Sequence, residues 1–160
     1  MRTILALAAV AAALLLPSSV TATSGGRPVA LVVAEASNAV FAVSLGPHGG
    51  HVLKRVRLDD PLMVAAPLHG PAVVVNPHGS VKLLGWHSLR PLRVLRGFRR
   101  PEVAAIAPGD RYAYVSDAGS GNVVVIDLER RSIVRRLFVG SLAHHLDFSP
   151  DGHRLCVALG

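Results

Sequence analysis

The sequence predicts an all-β fold built from short antiparallel strands. Beyond residue 22, Gly and Pro recur roughly every 8 to 12 residues and the segments between them are rich in Val, a pattern typical of strands rather than helices. Four of these segments share one order of features: PVALVVAE at 28–35, PAVVVNP at 71–77, RYAYVSD at 111–117 and HRLCVAL at 153–159. Their equivalent positions are separated by 42, 40 and 42 residues and are occupied by Val32, Val74, Tyr114 and Cys156.

This repeat length predicts the architecture. The blades of a β-propeller, each a sheet of four short strands, repeat about every 40 to 45 residues. Each repeat here reads as a small apolar inner strand, two central strands and an outer strand that mixes Arg or Lys with Leu and Val. We therefore predict a partial β-propeller of four-stranded antiparallel blades. Its parts are a partial first blade at 28–58, full blades at 61–98 and 101–140, and the start of a further blade at 143–160.

The predicted strands are too few for a closed ring. A ring of four to eight blades needs roughly 160 to 350 residues, and residues 23–160 supply about three blades. We expect the sequence to be the N-terminal part of a longer protein. The alternative is that the ring closes by self-association.

The first 22 residues predict a secretory signal peptide. Arg2 precedes an apolar run at 4–16, and residues 20–22 end in the small side chain that suits signal peptidase. The run is shorter than the ~20 residues that a membrane-spanning helix needs, so an uncleaved anchor is the less favoured alternative. We expect cleavage after Ala22 and a secreted, periplasmic or cell-surface protein that meets the membrane only through this transient segment.

Four short motifs in the last third of the chain resemble those of a known family. They are Tyr-Val-Ser-Asp at 114–117, Val-Ile-Asp at 125–127, Val-Gly at 139–140 and Ser-Pro-Asp-Gly at 149–152. In this order they resemble the Tyr-Val-Thr-Asn, Val-Ile-Asp, Val-Gly and Ser-Pro-Asp-Gly motifs of the YVTN-repeat β-propellers, a family of exported bacterial and archaeal proteins. The earlier repeats match in pattern, with Pro61 and Pro101 at the proline that follows the family's outer strand, whereas Ala143 departs from it. The resemblance implies a propeller fold and export.

Three residues are candidates for ligand binding at the propeller axis. Glu102 and His144 occupy equivalent positions at the entrance of two inner strands, His145 follows, and Leu62 is the equivalent residue one blade earlier. Successive strand residues point to opposite faces, so we expect the two imidazoles not to share a metal ion. With no third ligand at a recognisable spacing, we predict no metal site and no cofactor. Since a catalytic ring needs polar groups from several blades, no catalytic residue is assigned.

The basic segment LRPLRVLRGFRR at 89–100 is the best candidate for contact with a polyanion. The chain carries a net charge of +7, and this segment offers Arg90, Arg93 and Arg96. Their spacing does not follow the two-residue period of a strand, so a solvated outer strand is the alternative. Aromatic residues make up 4% of the chain, which leaves little surface for base stacking and argues against a specific nucleic-acid partner.

Two further features carry no predicted chemistry. Cys156 lies in an apolar strand, and we interpret it as a small buried residue. The loop at 117–122 lacks the alternating acidic ligands of a calcium loop, and we interpret it as a hairpin turn. The sequence has no Gly-x-Ser-x-Gly, His-Glu-x-x-His or paired-cysteine motif, which argues against hydrolase or zinc chemistry.

The resemblance favours a non-catalytic exported scaffold that binds a protein, a polymer or a small ligand at its axial face. One alternative is a propeller enzyme, either lactonase-like or a haem- or quinone-dependent redox protein, whose active site needs blades beyond this sequence. Another is a cell-surface structural module whose basic outer strands hold an anionic polymer. The expected partner is therefore an unknown protein or a cell-envelope ligand.

Overall fold

A computed structural model describes residues 28–47 and 49–160, and these residues form four antiparallel sheets in chain order. The predicted signal peptide lies outside the described residues. The first sheet contains β1 (Val29–Ala34), β2 (Ala39–Gly46) and β3 (Gly49–Arg57). The second contains β4 (Met63–Ala65), β5 (Pro71–Asn76), β6 (Ser80–Gly85) and β7 (Pro91–Arg96).

The remaining strands form the third and fourth sheets. The third contains β8 (Pro101–Ile106), β9 (Tyr112–Asp117), β10 (Asn122–Asp127) and β11 (Ser132–Phe138). The fourth contains, among the described residues, β12 (Ala143–Phe148) and β13 (Leu155–Leu159). A single turn of 3-10 helix, Glu35–Ser37, joins β1 to β2, and no helix in the described part of the chain is long and apolar enough to cross a membrane.

Tight turns set the strand boundaries. In the Ser-Pro-Asp-Gly turn between β12 and β13, the amide of Gly152 donates to the carbonyl of Ser149 at 2.7 Å. Gly152 has a φ of +71°, and a Cβ atom at this position would lie 2.6 Å from Cγ of Pro108. Glycine is therefore required here both for the left-handed backbone and for the close approach of the neighbouring turn.

The central strands are buried on both faces, which explains their continuous runs of valine. Val74 and Leu84 pack towards the first sheet, in a cluster with Val40 and Leu58. Their neighbours Val73 and Leu83 point the other way, towards the third sheet. A strand that is covered on both faces has no polar side, so it shows no alternation of apolar and polar residues.

Consecutive sheets pack face to face, and their inner strands lie side by side: β4 contacts β8, and β8 contacts β12. We call the contact between the second and third sheets the closed seam. Twelve buried hydrophobic residues form its core: Val73, Val75, Val81, Leu83, Leu95, Phe98, Ala104, Ala113, Val115, Val124, Ile126 and Leu128. We call the contact between the third and fourth sheets the open seam. This radial arrangement of antiparallel sheets confirms the predicted partial β-propeller.

The interpretation of Cys156 as a buried residue is wrong. Its side chain is exposed, because β13 pairs with β12 alone among the described strands and no outer strand covers it. The alternation in β13 leaves Leu155 and Val157 half-buried and Cys156 and Ala158 exposed. Apolar character alone therefore did not predict the exposure of a residue on the last described strand.

Candidate functional site

The inner strands line an open groove along the propeller axis. Its volume is about 600 Å³, and residues of β4, β8 and β12 form its walls. Most of the walls are small or apolar: Met63, Ala65, Val103, Ala105, Leu146 and Phe148. The two carboxylates that line the groove already accept backbone hydrogen bonds, Asp110 from His69 and Asp147 from Phe148, each at 2.8 Å. The side chains that line the groove are therefore mostly apolar, and its two carboxylates are already engaged.

A polar cluster lies where the inner strands begin. We call Arg100, Glu102, His144 and His145 the entrance cluster. Nε of Arg100 lies 3.0 Å from Oε1 of Glu102, and Nε2 of His144 lies 3.7 Å from Oε2 of the same carboxylate. Nδ1 of His144 lies 2.6 Å from Nδ1 of His145. The fold thus brings together the three axial candidates of the sequence and adds an arginine.

The expectation that the two imidazoles lie on opposite faces is wrong. Their ring centroids are 4.4 Å apart. The pairing of β12 with β13 shifts between Ala143 and Leu146, and this irregularity breaks the strict alternation of side chains at the two histidines. No group of three His, Cys, Asp or Glu residues in the described ranges is arranged to hold a metal ion.

Hydrogen bonding defines the chemistry of the histidine pair. The Glu102 side chain is 18% exposed and that of His144 is 44% exposed, so the carboxylate lies beneath the ring. If a neutral His144 carries its proton on Nε2, this N–H group points towards the Glu102 carboxylate. Its Nδ1 atom then has no proton and can accept a hydrogen bond from the Nδ1–H group of His145. This arrangement leaves Nε2 of the exposed His145 as a free acceptor. The cluster can therefore accept a hydrogen bond from a ligand at this atom.

Ser116 holds the entrance cluster against the third sheet. Its side chain is fully buried, and its hydroxyl accepts a hydrogen bond from the amide of Val103 at 3.1 Å and donates one to the carbonyl of His144. The hydroxyl therefore joins β8, β9 and β12 at one point. Sequence reasoning missed this role, although a serine within an apolar strand was a visible signal.

Asp117 fixes the segment that carries Arg100. Its carboxylate is fully buried and accepts the backbone amides of Arg99, at 3.0 and 3.1 Å, and of Arg100, at 2.7 Å. It also accepts the hydroxyl of Ser120 at 2.6 Å. The loop at 117–122 is the predicted hairpin turn between β9 and β10. Its first residue, Asp117, also binds the backbone of the segment that precedes β8. Charged acceptors on backbone amides make strong hydrogen bonds, so this segment is held rigidly.

The equivalent residue one blade earlier is Asn76, which makes different hydrogen bonds. Its amide nitrogen donates to the carbonyl of Asp59 at 2.6 Å, and its amide oxygen accepts from the backbone of His78 at 2.8 Å. Asn76 and Asp117 both end the second strand of a blade and both bind the segment that enters that blade. The repeated Asn or Asp at this position was the signal in the sequence.

The three polyanion candidates are exposed at the outer strand of the second sheet. Arg93 and Arg96 lie within β7, and Arg90 lies just before it. Arg93 pairs with Leu83, whereas Arg96 pairs with Ser80, so the two side chains lie on opposite faces of the strand. The structure does not bring these arginines into one cluster with the entrance residues.

Comparison with known proteins supports the fold alone. No family model and no curated protein matches the sequence. Among solved structures, the hydrazine synthase of Kuenenia stuttgartiensis is similar at 21% identity with a TM-score of 0.72, over 81% of this chain and 38% of that one. A putative 6-phosphogluconolactonase from Bacteroides uniformis is similar at 14% identity with a TM-score of 0.67, over 82% and 44%.

A third similar structure is the dihydro-heme d1 dehydrogenase NirN in complex with DHE. It shares 20% identity with a TM-score of 0.67, over 87% of this chain and 33% of that one. The chain therefore spans less than half the length of each of these three proteins. All three are β-propellers, and the packing of the four sheets agrees with theirs. The described residues form part of a β-propeller.

Proposed function

We propose that this protein is an exported scaffold of the YVTN-repeat type that binds its ligand at the axial face without catalysis. The observation that supports the proposal best is the entrance cluster. A half-exposed histidine rests on a largely buried carboxylate, and a second, exposed histidine extends the pair towards solvent. Export rests on the first 22 residues of the sequence and places the ligand in the envelope or outside the cell.

The groove and the cluster together suit an amphipathic ligand. Glu102 adjoins Val103 on β8, and His145 adjoins Leu146 on β12, so the polar group lies at one end of the apolar groove. Binding sites commonly combine apolar walls with a few polar groups that orient the ligand. We infer a protein segment, a polymer or a small molecule with an apolar body and a polar end.

A propeller enzyme is the second candidate. The contact between Glu102 and His144 favours it, because a carboxylate that orients an imidazole is a common way to prepare a general base. Proteins of similar fold are named as a lactonase and as a dehydrogenase acting on dihydro-heme d1. Lactone hydrolysis, or a new absorption band after addition of haemin or a quinone, would support this candidate over the scaffold.

In-cell crosslinking tests the axial site. A photo-crosslinking amino acid replaces Ala105 in the groove, and a second version carries it at Leu92 on the outer strand as the control. We expect an adduct from position 105 and not from position 92, with a mass that identifies the ligand class. His145→Ala should reduce the adduct several-fold, whereas His153→Ala, another exposed histidine, should not. Equal adducts from positions 105 and 92, or no effect of His145→Ala, would contradict the proposal.

A further inference from the structure

The outer strands of the three larger sheets carry positive charge only. Seven basic residues lie on β3, β7 and β11, and these strands contain no Asp or Glu. We call these residues the outer belt: Lys54, Arg55, Arg57, Arg93, Arg96, Arg135 and Arg136. All seven are exposed. The charge therefore recurs on the outer strand of each of these three sheets and is not confined to the segment at 89–100.

The belt differs in its ion pairs from four basic residues elsewhere in the fold. Lys82, Arg100, Arg111 and Arg130, which lie elsewhere, each form an ion pair with a carboxylate. Within the described ranges, no ion pair involves a residue of the belt. In the described part of the chain, the charge of the belt is thus not compensated by carboxylates, and the same holds for Arg90, Arg99, Arg131 and Arg154 outside the belt.

Aromatic contacts hold two belt arginines in place. The guanidinium carbon of Arg55 lies 5.4 Å from the centre of the Phe41 ring, and that of Arg136 lies 5.4 Å from the centre of the Phe98 ring. A cation over an aromatic face keeps its charge and its hydrogen-bond donors available while its side chain is ordered. This ordering reduces the entropy that these side chains would lose on binding.

We propose that the outer belt binds a flexible linear polyanion whose charged groups are phosphates, with inorganic polyphosphate as its simplest example. Six of the seven residues are arginine, whose planar fork matches phosphate better than the ammonium of lysine does. The sheets fan around an axis, so the three outer strands face different directions. A flexible chain can follow such a convex rim, whereas a flat bilayer meets one blade at a time. The belt is separate from the axial groove, and this proposal does not depend on the axial one.

Matched charge variants test the belt. The probe is fluorescently labelled long-chain polyphosphate, and binding to the purified chain is followed by anisotropy over a range of NaCl concentrations. The belt variant removes one arginine per blade: Arg57→Gln, Arg93→Gln and Arg135→Gln. The control variant removes the same charge outside the belt: Arg99→Gln, Arg131→Gln and Arg154→Gln. Circular dichroism and the melting temperature verify that both variants fold.

The belt variant should bind polyphosphate about tenfold or more weakly than the unchanged chain, and the slope of log affinity against log salt should fall by about two to three. The control variant should lose much less affinity for polyphosphate. Replacing the same three belt residues with lysine should preserve the slope of log affinity against log salt, because the charge is kept. Binding should weaken a few-fold, because the planar guanidinium that can bind phosphate with two hydrogen bonds is lost. Equal losses in both glutamine variants would overturn the proposal, as would binding to anionic lipid vesicles without binding to polyphosphate.

Discussion

The two seams of the third sheet are built in different ways. At the closed seam, the second sheet covers its face with four strands and a continuous apolar core. At the open seam, the fourth sheet supplies two strands within the described residues. The contacts of this seam include the buried hydroxyl of Ser116, the edge-to-face contact of Tyr114 with Phe148 at 5.4 Å, the buried Leu146 and the entrance cluster.

The difference shows how the strands of a neighbouring sheet determine the exposure of a blade face. The face of the third sheet towards the fourth is buried near the axis, where Ser116 is fully enclosed, and open near the rim, where Val134 is 44% and Leu137 40% exposed. The apolar core of the closed seam is continuous. At the open seam, the entrance cluster lies at the axial end, where β12 contacts β8 and β9.

Removing a large side chain from the closed seam should have the largest effect. Leu83 is fully buried, and Leu83→Ala should lower the free energy of unfolding by about 2–5 kcal/mol because it leaves a cavity between two sheets. Leu137→Ala at the exposed rim of the open seam should change the free energy of unfolding by about 0.5 kcal/mol or less. Urea denaturation measures both, and similar losses in the two variants would mean that the seams do not differ as described.

Removing the polar bridge of the open seam should have an intermediate effect. Ser116→Ala leaves the amide of Val103 and the carbonyl of His144 without this partner, which should cost about 1–3 kcal/mol. Hydrogen exchange at the Val103 amide should also accelerate. Ser88→Ala is the matched control, since that exposed hydroxyl accepts the amide of Arg90 at 3.2 Å on a surface turn. An unchanged exchange rate at Val103 would show that the bridge does not hold the seam.

Acid should loosen the turn that joins the two strands of the fourth sheet. A hydrogen bond from the Ser149 hydroxyl, and then one from the His153 amide, lower the pKa of Asp151 from its ordinary value of 3.8. A lowered pKa means that the carboxylate supports the turn above pH 3.8 and that this support is lost as the pH falls below that value. The side chain is fully exposed, so the effect should be the smallest of the three.

An NMR titration of the amides of Gly152 and His153 measures this effect. Both resonances should move as the pH is lowered through the acid range, and Asp151→Asn should remove that dependence. Asp147→Asn serves as the control, because its carboxylate bonds the amide of Phe148 and not the turn. Movement of the turn resonances that persists in Asp151→Asn would assign the acid response to another group.

The fold could be predicted from the sequence because it depends on local and periodic signals. Turn residues, valine-rich strands and the repeat of about 42 residues fix strand order without any knowledge of distant contacts. The site was harder to predict. Glu102 and His144 could be paired through their equivalent positions in two repeats, but the shift in β12 that brings His145 beside His144 has no sequence signature.

Long-range hydrogen bonds of side chains could not be predicted from the sequence. The carboxylate of Asp117 binds amides 17 and 18 residues earlier in the chain, and the hydroxyl of Ser116 binds a carbonyl 28 residues later. Such pairings follow from how sheets stack, and no short motif encodes them. The exposure of Cys156 was missed for a related reason, because burial depends on which strands cover β13.

The contrast between Asn76 and Asp117 has a consequence for assembly. Near-identical repeats can misfold by slipping one blade along, so that a strand end meets the wrong entering segment. In the second blade, the entering segment offers the carbonyl of Asp59 to the side-chain amide of Asn76. In the third blade, the entering segment offers backbone amides to the carboxylate of Asp117. A slip by one repeat would set the Asp117 carboxylate against the Asp59 carbonyl, two acceptors with no proton between them. The mismatch of these two acceptors therefore disfavours that slipped pairing.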